Sequence, residues 1–257
     1  VIYPNWIYYP NDELELFIDT VQQVSYVSGC NTTEYVGASD GKLKSKAIRQ
    51  LPTATFECTW DTNHITDIYR YLDYLKGKQV IIGFGRLDLA SWAKITDASF
   101  VRTVGTVQKA SLSMQFLGDV RGHFWEAEDP RDDGGGAEYS DALASGGKTK
   151  RLSGIGSSVS FEVRQSKIML PTGNYTMFAR IKDSNQVTDD LILDVYDRDG
   201  SYNPTLTTTA TSSFKIYTLN FEISSSEAGH RILFEVFKNK TSTNNIYVDF
   251  LSYVAVP

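Results

Sequence analysis

The sequence predicts a mainly β protein with one flanking helix and a C-terminal β-sandwich. Three observations predict it. Aromatic residues reach 12%, with 15 Tyr and 13 Phe, and these residue types suit a pleated, half-buried surface. In the second half, short apolar runs are separated by turn residues and show no helical period. A single stretch carries apolar residues at helical spacing, namely Ile65, Ile68, Leu72 and Leu75.

That helix runs from Ile65 to Lys76. Asp61, Thr62 and Asn63 are its N-cap candidates, and Gly77 stands where a left-handed C-terminal residue belongs. Strands surround it: Ala54–Trp60 before, Gln79–Phe84 after, then a hairpin of Val101–Val107 and Ala110–Leu117. A seam falls near Gly118 to His123, dividing residues 1–122 from residues 123–257. Beyond it, Asp132–Gly136 and Ala144–Lys148 read as loops. Six strands follow: Ser158–Val163, Gly173–Lys182, Asp190–Tyr196, Phe214–Ile223, Arg231–Phe237 and Ile246–Val254. Such a succession suggests a sandwich.

Composition removes several classes. Residues 1–122 carry 12 basic and 13 acidic side chains, and residues 123–257 carry 13 and 18. Neither half is a basic surface, which argues against nucleic-acid specificity. No run approaches the roughly 20 apolar residues that a membrane helix needs, so no membrane insertion is expected. Val1 to Pro10 lacks the basic start and apolar stretch of a signal peptide. Cys30 and Cys58 allow one disulfide and read more simply as two buried thiols. His64, His123 and His230 are too scattered for a zinc site. Gly83-Phe84-Gly85 lacks the rest of a dinucleotide fingerprint and reads as a turn. Asp197-Arg198-Asp199-Gly200 fails as an EF-hand, because Val195 and Leu206 would occupy the first and twelfth positions. No nucleophile elbow or phosphate loop is present, and no enzyme activity is expected.

The run Trp125-Glu126-Ala127-Glu128-Asp129 opens the second half. In a strand Glu126 and Glu128 share a face, and two adjacent carboxylates repel unless a cation or base sits between them. Asp249 lies in the last strand, Ile246–Val254. Pairing of first and last strands would gather all three. A hard cation such as Ca²⁺ takes six to eight oxygens from carboxylates and backbone carbonyls.

With the Glu-Ala-Glu-Asp opening, the Ala-Ser-Gly-Gly-Lys loop, the Ser158–Val163 strand, the run Leu170–Ile181 and the closing Ile246–Val254, the second half resembles family 6 and family 35 carbohydrate-binding modules. The resemblance implies a jelly-roll sandwich. It implies a structural calcium held by Glu126, Glu128, Asp249 and backbone near Gly147. It also implies a sugar site in the loops at one end, for which Tyr139, Tyr202 and Asn245 are the candidates. That family places a tryptophan in one of these loops, whereas the sole tryptophan of this half is Trp125, in the opening strand.

In its order of strand Thr55–Trp60, helix Ile65–Lys76, strand run Gly77–Phe84 and late strand Ser111–Leu117, the first half resembles the minor and distal tail proteins of long-tailed phages. That resemblance implies a tail-tube-like β-barrel with one flanking helix, assembly as a homo-oligomeric ring and contact with other tail proteins. The joint expectation is a virion tail protein, distal tail or tail tube, displaying a sugar-binding-like module to a cell-surface glycan. The alternative is a secreted, extracellular, non-catalytic carbohydrate-binding protein.

Overall fold

Alternating apolar residues become strands almost wherever the sequence alternates. The computed structural model of the chain describes residues 5–18, 21–27, 30–36, 43–49, 51–60, 65–85, 89–101, 108–118, 122–127, 136–153, 159–163, 168–239 and 244–257. In chain order its first strands are β1 (Asn5–Tyr9), β2 (Leu14–Ile18), β3 (Val21–Val27), β4 (Cys30–Val36), β5 (Leu43–Arg49) and β6 (Thr53–Trp60). Helix α1 (Ile65–Leu75) follows, then β7 (Gln79–Phe84), β8 (Leu89–Val101), β9 (Gln108–Phe116) and β10 (His123–Glu126). Next come β11 (Ala137–Ser140), β12 (Lys148–Leu152), β13 (Val159–Val163), β14 (Gly173–Asp183) and β15 (Leu191–Asp197). The last are β16 (Thr205–Thr208), β17 (Lys215–Ile223), β18 (Ile232–Lys238) and β19 (Ile246–Ala255). Among the described residues no helix is long and apolar enough to cross a membrane.

In space the chain forms two compact units. The larger gathers Val1–Asp19, Ile81–Ser91 and Val120–Val256; the smaller gathers Thr20–Val80 and Trp92–Asp119. In the smaller unit β8, β9, β6 and β3 follow one another in an open antiparallel sheet, and β4 and β5 form a two-stranded ribbon. Its described strands make no closed barrel. Helix α1 buries Leu72 and Leu75 completely. It stops at Gly77, whose φ of 77° is the left-handed turn anticipated there. The Gly77 N–H then donates to the Ile95 carbonyl at 2.8 Å. The N-cap candidates Asp61, Thr62 and Asn63, with His64, lie outside the described residues, as do the side chains of Cys30 and Cys58.

In the larger unit two antiparallel sheets face each other. One runs β11-β12-β19-β14-β17, with β10 also pairing β19; the other runs β13-β18-β15-β16. Alternate residues fill the space between them: Tyr175, Met177, Ala179 and Ile181 from β14, Leu191, Leu193 and Val195 from β15, and Ile232, Phe234 and Val236 from β18. The ring of Phe234 stacks on that of Tyr253, with centroids 4.7 Å apart.

A second apolar layer lies on the outer face of the first sheet. Hairpin β1–β2 pairs with β7 and supplies Trp6, Tyr8 and Phe17. Trp6 packs 4.9 Å from Phe250 and 6.0 Å from both Phe124 and Phe178. Residues 5–18 therefore pack with the sandwich. Gly122, at the seam, is held between two backbones: an added Cβ would meet the Tyr253 carbonyl oxygen at 2.2 Å and that of Ala90 at 2.4 Å. Only glycine permits that approach.

On the outer face of the second sheet Asp194 on β15 stands directly opposite Glu235 on β18, both buried. Burial raises the Asp194 carboxyl to about 6, against the opposing pull of its hydrogen bond with Glu235. The folded state therefore holds a proton that the unfolded chain releases near pH 4. This stability is complete below that pH and is lost as pH rises through about 6. Between pH 3 and 7 the stability of the wild type is expected to fall relative to Asp194→Asn, by up to about 3 kcal/mol. Parallel pH–stability curves, measured by urea denaturation, would refute this.

Candidate functional site

The expected carboxylates are positioned by an irregularity in the last strand. The β14–β19 register slips between Arg180, opposite Phe250, and Ile181, opposite Val248. Asp249 is the extra residue of this bulge, which re-aims its side chain. Its carbonyl still accepts the Ala127 N–H at 2.9 Å. The β10–β19 pairing sets Glu126 opposite Phe250, one residue from Asp249. Both acids are buried, with 2% and 0% of their surfaces exposed.

Ser145, in the loop predicted at Ala144–Lys148, joins them. Its hydroxyl lies 2.7 Å from Glu126 Oε2 and 2.8 Å from Asp249 Oδ1, and its N–H donates to Asp249 Oδ1 at 2.9 Å. One hydroxyl proton cannot serve two carboxylates, so the second contact needs a proton on a carboxyl. Burial, the largest influence on Asp249, pushes its carboxyl up and favours this; Arg180 and Ser145 pull the other way.

Arg180 supplies the positive charge. Its Nη1 lies 2.5 Å from Asp249 Oδ2 and donates to the Leu143 carbonyl at 3.1 Å, while Nε meets Glu15 Oε2 at 3.1 Å. Its guanidinium also lies over Phe17 and Phe214, at 4.9 and 4.5 Å. Burial raises Glu15 as well, with Arg180 opposing and Asp249 adding to the rise.

Two of the residues expected at the calcium, Glu126 and Asp249, are brought side by side. Both Asp249 oxygens are engaged by Ser145 or Arg180. The Gly147 carbonyl accepts the Asp141 N–H at 3.0 Å, closing the loop in which Gly147 takes a φ of 78°. Glu128 lies outside the described residues. Among the described residues no three His, Cys, Asp or Glu side chains are grouped to hold a metal.

The three sugar-site candidates are not brought together. Tyr139, on β11 and 42% exposed, packs against Tyr247 with centroids 5.2 Å apart, and the Arg151 guanidinium lies 5.6 Å from its ring. Lys182 Nζ lies 5.3 Å from the Tyr247 ring and is ion-paired to Asp141. Tyr247 stands opposite Lys182, one residue from Asn245's end of the sheet. Asn245 itself is tied to Ser184, its N–H donating to Oγ at 3.0 Å and its carbonyl accepting the Ser184 N–H at 3.0 Å. Tyr202 lies at the other end. Its hydroxyl accepts the Glu222 N–H at 3.0 Å, and Glu222 pairs with Asn174 at the start of β14. Asn174 and Asp183 are nine strand residues apart, roughly 30 Å at 3.3 Å per residue. Tyr202 packs against the core and acts as a structural pin; Tyr139 is the candidate with an accessible ring. Tyr247 and Arg180 were missed from sequence. Tyr247 had a signal: it alternates with core residues Ile246 and Val248 and so faces outward with Tyr139.

The Asp197–Gly200 turn is likewise self-satisfied. Asp197 accepts the Asp199 N–H at 2.9 Å and meets His230 Nδ1 at 2.9 Å, while Asp199 pairs with Arg231.

No protein-family model and no curated protein matches the sequence. Among solved structures the chain is similar to a family 35 carbohydrate-binding module from Clostridium thermocellum, with 18% identity over 52% of this chain and 98% of that one, at a TM-score of 0.38. It is similar to the C-terminal family 6 module of a marine laminarinase from Zobellia galactanivorans, with 16% identity over 51% and 98% of the two chains, at a TM-score of 0.36. It is also similar to a chain from the tail of an empty gene transfer agent particle of C6 symmetry, with 8% identity over 46% and 92%, at a TM-score of 0.34.

Proposed function

We propose that this chain is a non-catalytic structural protein of a virion tail, assembling as a ring with other tail proteins, and that its sandwich presents a shallow glycan-binding face. The observation that supports the glycan reading is the Tyr139–Tyr247 pair on the β11 side of the sheet, flanked by Arg151 and Lys182. An exposed ring offers its face to the apolar C–H side of a sugar, and neighbouring cations offer hydrogen-bond donors to its oxygens. The tail reading is supported by the order of β6, α1, β7 and β9, the strand, helix, strand and late strand of the tail resemblance; of the hairpin strand expected at Val101–Val107, residues 102–107 lie outside the described residues.

A face with one or two stacked rings binds weakly, and a millimolar interaction is worth only about −4.1 kcal/mol. Several copies in a ring multiply retention through effective concentration. Tyr139→Ala is expected to leave the fold intact and to lower single-site affinity by roughly tenfold at most, from the ~0.5–1.5 kcal/mol of a stacked aromatic contact. Retention of assembled particles on host cell wall should fall more steeply. Glycan arrays and cell-wall retention that both show no binding would end the adhesion reading. A chain that stays monomeric at high concentration, by gel filtration and electron microscopy, would end the ring.

A further inference from the structure

Four polar side chains are shut away together at one end of the sandwich. Lys238 ends β18, Asp190 stands just before β15, Asn244 stands two residues before β19, and Asp183 ends β14. None of the four is more than 1% exposed. An amine, a primary amide and a carboxyl held together out of water are the three groups that an amide cross-link between side chains requires: a nucleophile, an electrophile and a proton carrier.

The contacts assign those roles. Asp190 Oδ2 lies 3.3 Å from Lys238 Nζ and accepts a hydrogen bond from Asn244 Nδ2 at 2.9 Å. The amine and the amide therefore meet on one oxygen atom. Asp183 Oδ1 accepts from the same Nδ2 at 2.8 Å, so the Asn244 amide is held between two carboxyl groups. Asp183 is itself fixed by the Asn185 and Val187 N–H groups at 3.0 and 2.8 Å. Keeping both charges of the Lys238–Asp190 pair out of water is costly. Passing one proton from Nζ to Oδ2 removes both charges and leaves a neutral amine, the nucleophilic form of lysine. The flexible four-carbon stem of lysine lets Nζ turn from Oδ2 to the neighbouring amide carbon, and reactants held together in this way react as one molecule.

We infer that Lys238 and Asn244 join in an intramolecular isopeptide bond, with Asp190 as the proton carrier. The Nζ lone pair attacks Asn244 Cγ, the Cγ–Nδ2 bond breaks, and Nδ2 leaves as ammonia. Asp190 touches both atoms whose protons change. The proton it took from Nζ passes to Nδ2, and a second proton from Nζ replaces it. The new amide keeps one N–H, and Asp190 ends as a neutral acid. The step consumes no oxidant, metal or second protein. The Lys238–Asp190 ion pair is the chain before the bond forms; afterwards the exit of β18 and the entry of β19 are covalently tied. This assignment is independent of the glycan and ring readings.

Intact-mass spectrometry of the folded full chain tests it. The expected mass is one ammonia below that of the sequence. Trypsin should then skip Lys238 and release residues 232–240 joined to residues 241–257. Chain recovered unfolded from inclusion bodies should carry the full mass and lose ammonia only on refolding, because the reacting groups meet only in the fold. Lys238→Arg keeps a positive charge for Asp190 but carries a guanidinium that does not give up its proton, and it should retain the full mass. A folded wild-type chain of full mass would overturn the inference. So would ammonia lost within residues 241–257 alone, the mark of a cyclic imide at Asn244, or water lost with Lys238 joined to Asp190. Loss of ammonia by Lys238→Arg would overturn it as well.

Discussion

Arg180→Met is expected to destabilise the larger unit by about 3–5 kcal/mol, the usual cost of removing one partner from a buried charge group. Arg180 is itself buried, and it is the cation shared by Asp249 and Glu15. Methionine restores the apolar stem against Phe17 and Phe214 but leaves the carboxylates with no guanidinium. The denaturation midpoint in urea should fall with its slope unchanged. Arg180→Lys is expected to recover little, because a single ammonium cannot address Asp249, Glu15 and the Leu143 carbonyl through separate nitrogens. With the guanidinium gone, calcium should stabilise the variant more than the wild type, since Glu126 and Asp249 are already side by side. A loss below about 1 kcal/mol, the range of exposed pairs, would show that Arg180 does not hold this cluster together.

Lys238→Met should cost a similar 3–5 kcal/mol. Lys238 Nζ sits 3.3 Å from Asp190 Oδ2, and each side chain is only 1% exposed. Around them Asn244 Nδ2 donates to Asp183 Oδ1 at 2.8 Å and to Asp190 Oδ2 at 2.9 Å, while the Val187 N–H donates to Asp183 Oδ2 at 2.8 Å. This knot joins the end of β14, the start of β15, the end of β18 and the approach to β19. Removing the ammonium strands the Asp190 charge. Adding Asp190→Asn, which deletes the charge but keeps an acceptor for Asn244, should recover about half of the loss. A double-mutant cycle with no coupling would show that the two groups are not energetically linked, since contacting pairs normally couple by about 0.5–3 kcal/mol.

The sandwich was legible because both its faces are periodic. The six strands read after residue 158 stand within two residues of β13, β14, β15, β17, β18 and β19. Helix α1 and its Gly77 stop were legible for the same reason. Hairpin β1–β2 was not: Trp6, Ile7, Tyr8 and Tyr9 are all buried, so no polar alternation marks the strand. Strands β11 and β12 are short and polar, and only the pairing of β11 with β12 and of β12 with β19 makes them strands.

At the site, sequence reasoning anticipated that Glu126 and Asp249 would meet and that adjacent carboxylates require a cation or base. It could not name Arg180, because a cation in mid-strand looks like a solvated residue until its neighbours across the sheet are known. The bulge at Asp249 left a faint trace. Ile246 and Val248 face the core, but so do Leu251 and Tyr253, a change of parity that a regular strand does not allow. Tyr202 was grouped with Tyr139 and Asn245 by analogy, and the length of β14 separates Tyr202 from the end that holds Asn245.

The packing of Trp6 on Phe250 also sets an order of events during synthesis. Trp6 and Tyr8 are made well before Phe124, Phe178 and Phe250, the aromatic residues that pack on them from distant parts of the chain. Until β19 is made, the hairpin carries bare aromatic surface with no native cover. Contacts of such long sequence separation slow folding and lengthen exposure to aggregation. A ribosome pausing before Ile246 would therefore hold this chain at its most adhesive stage, with the larger unit waiting on its final strand.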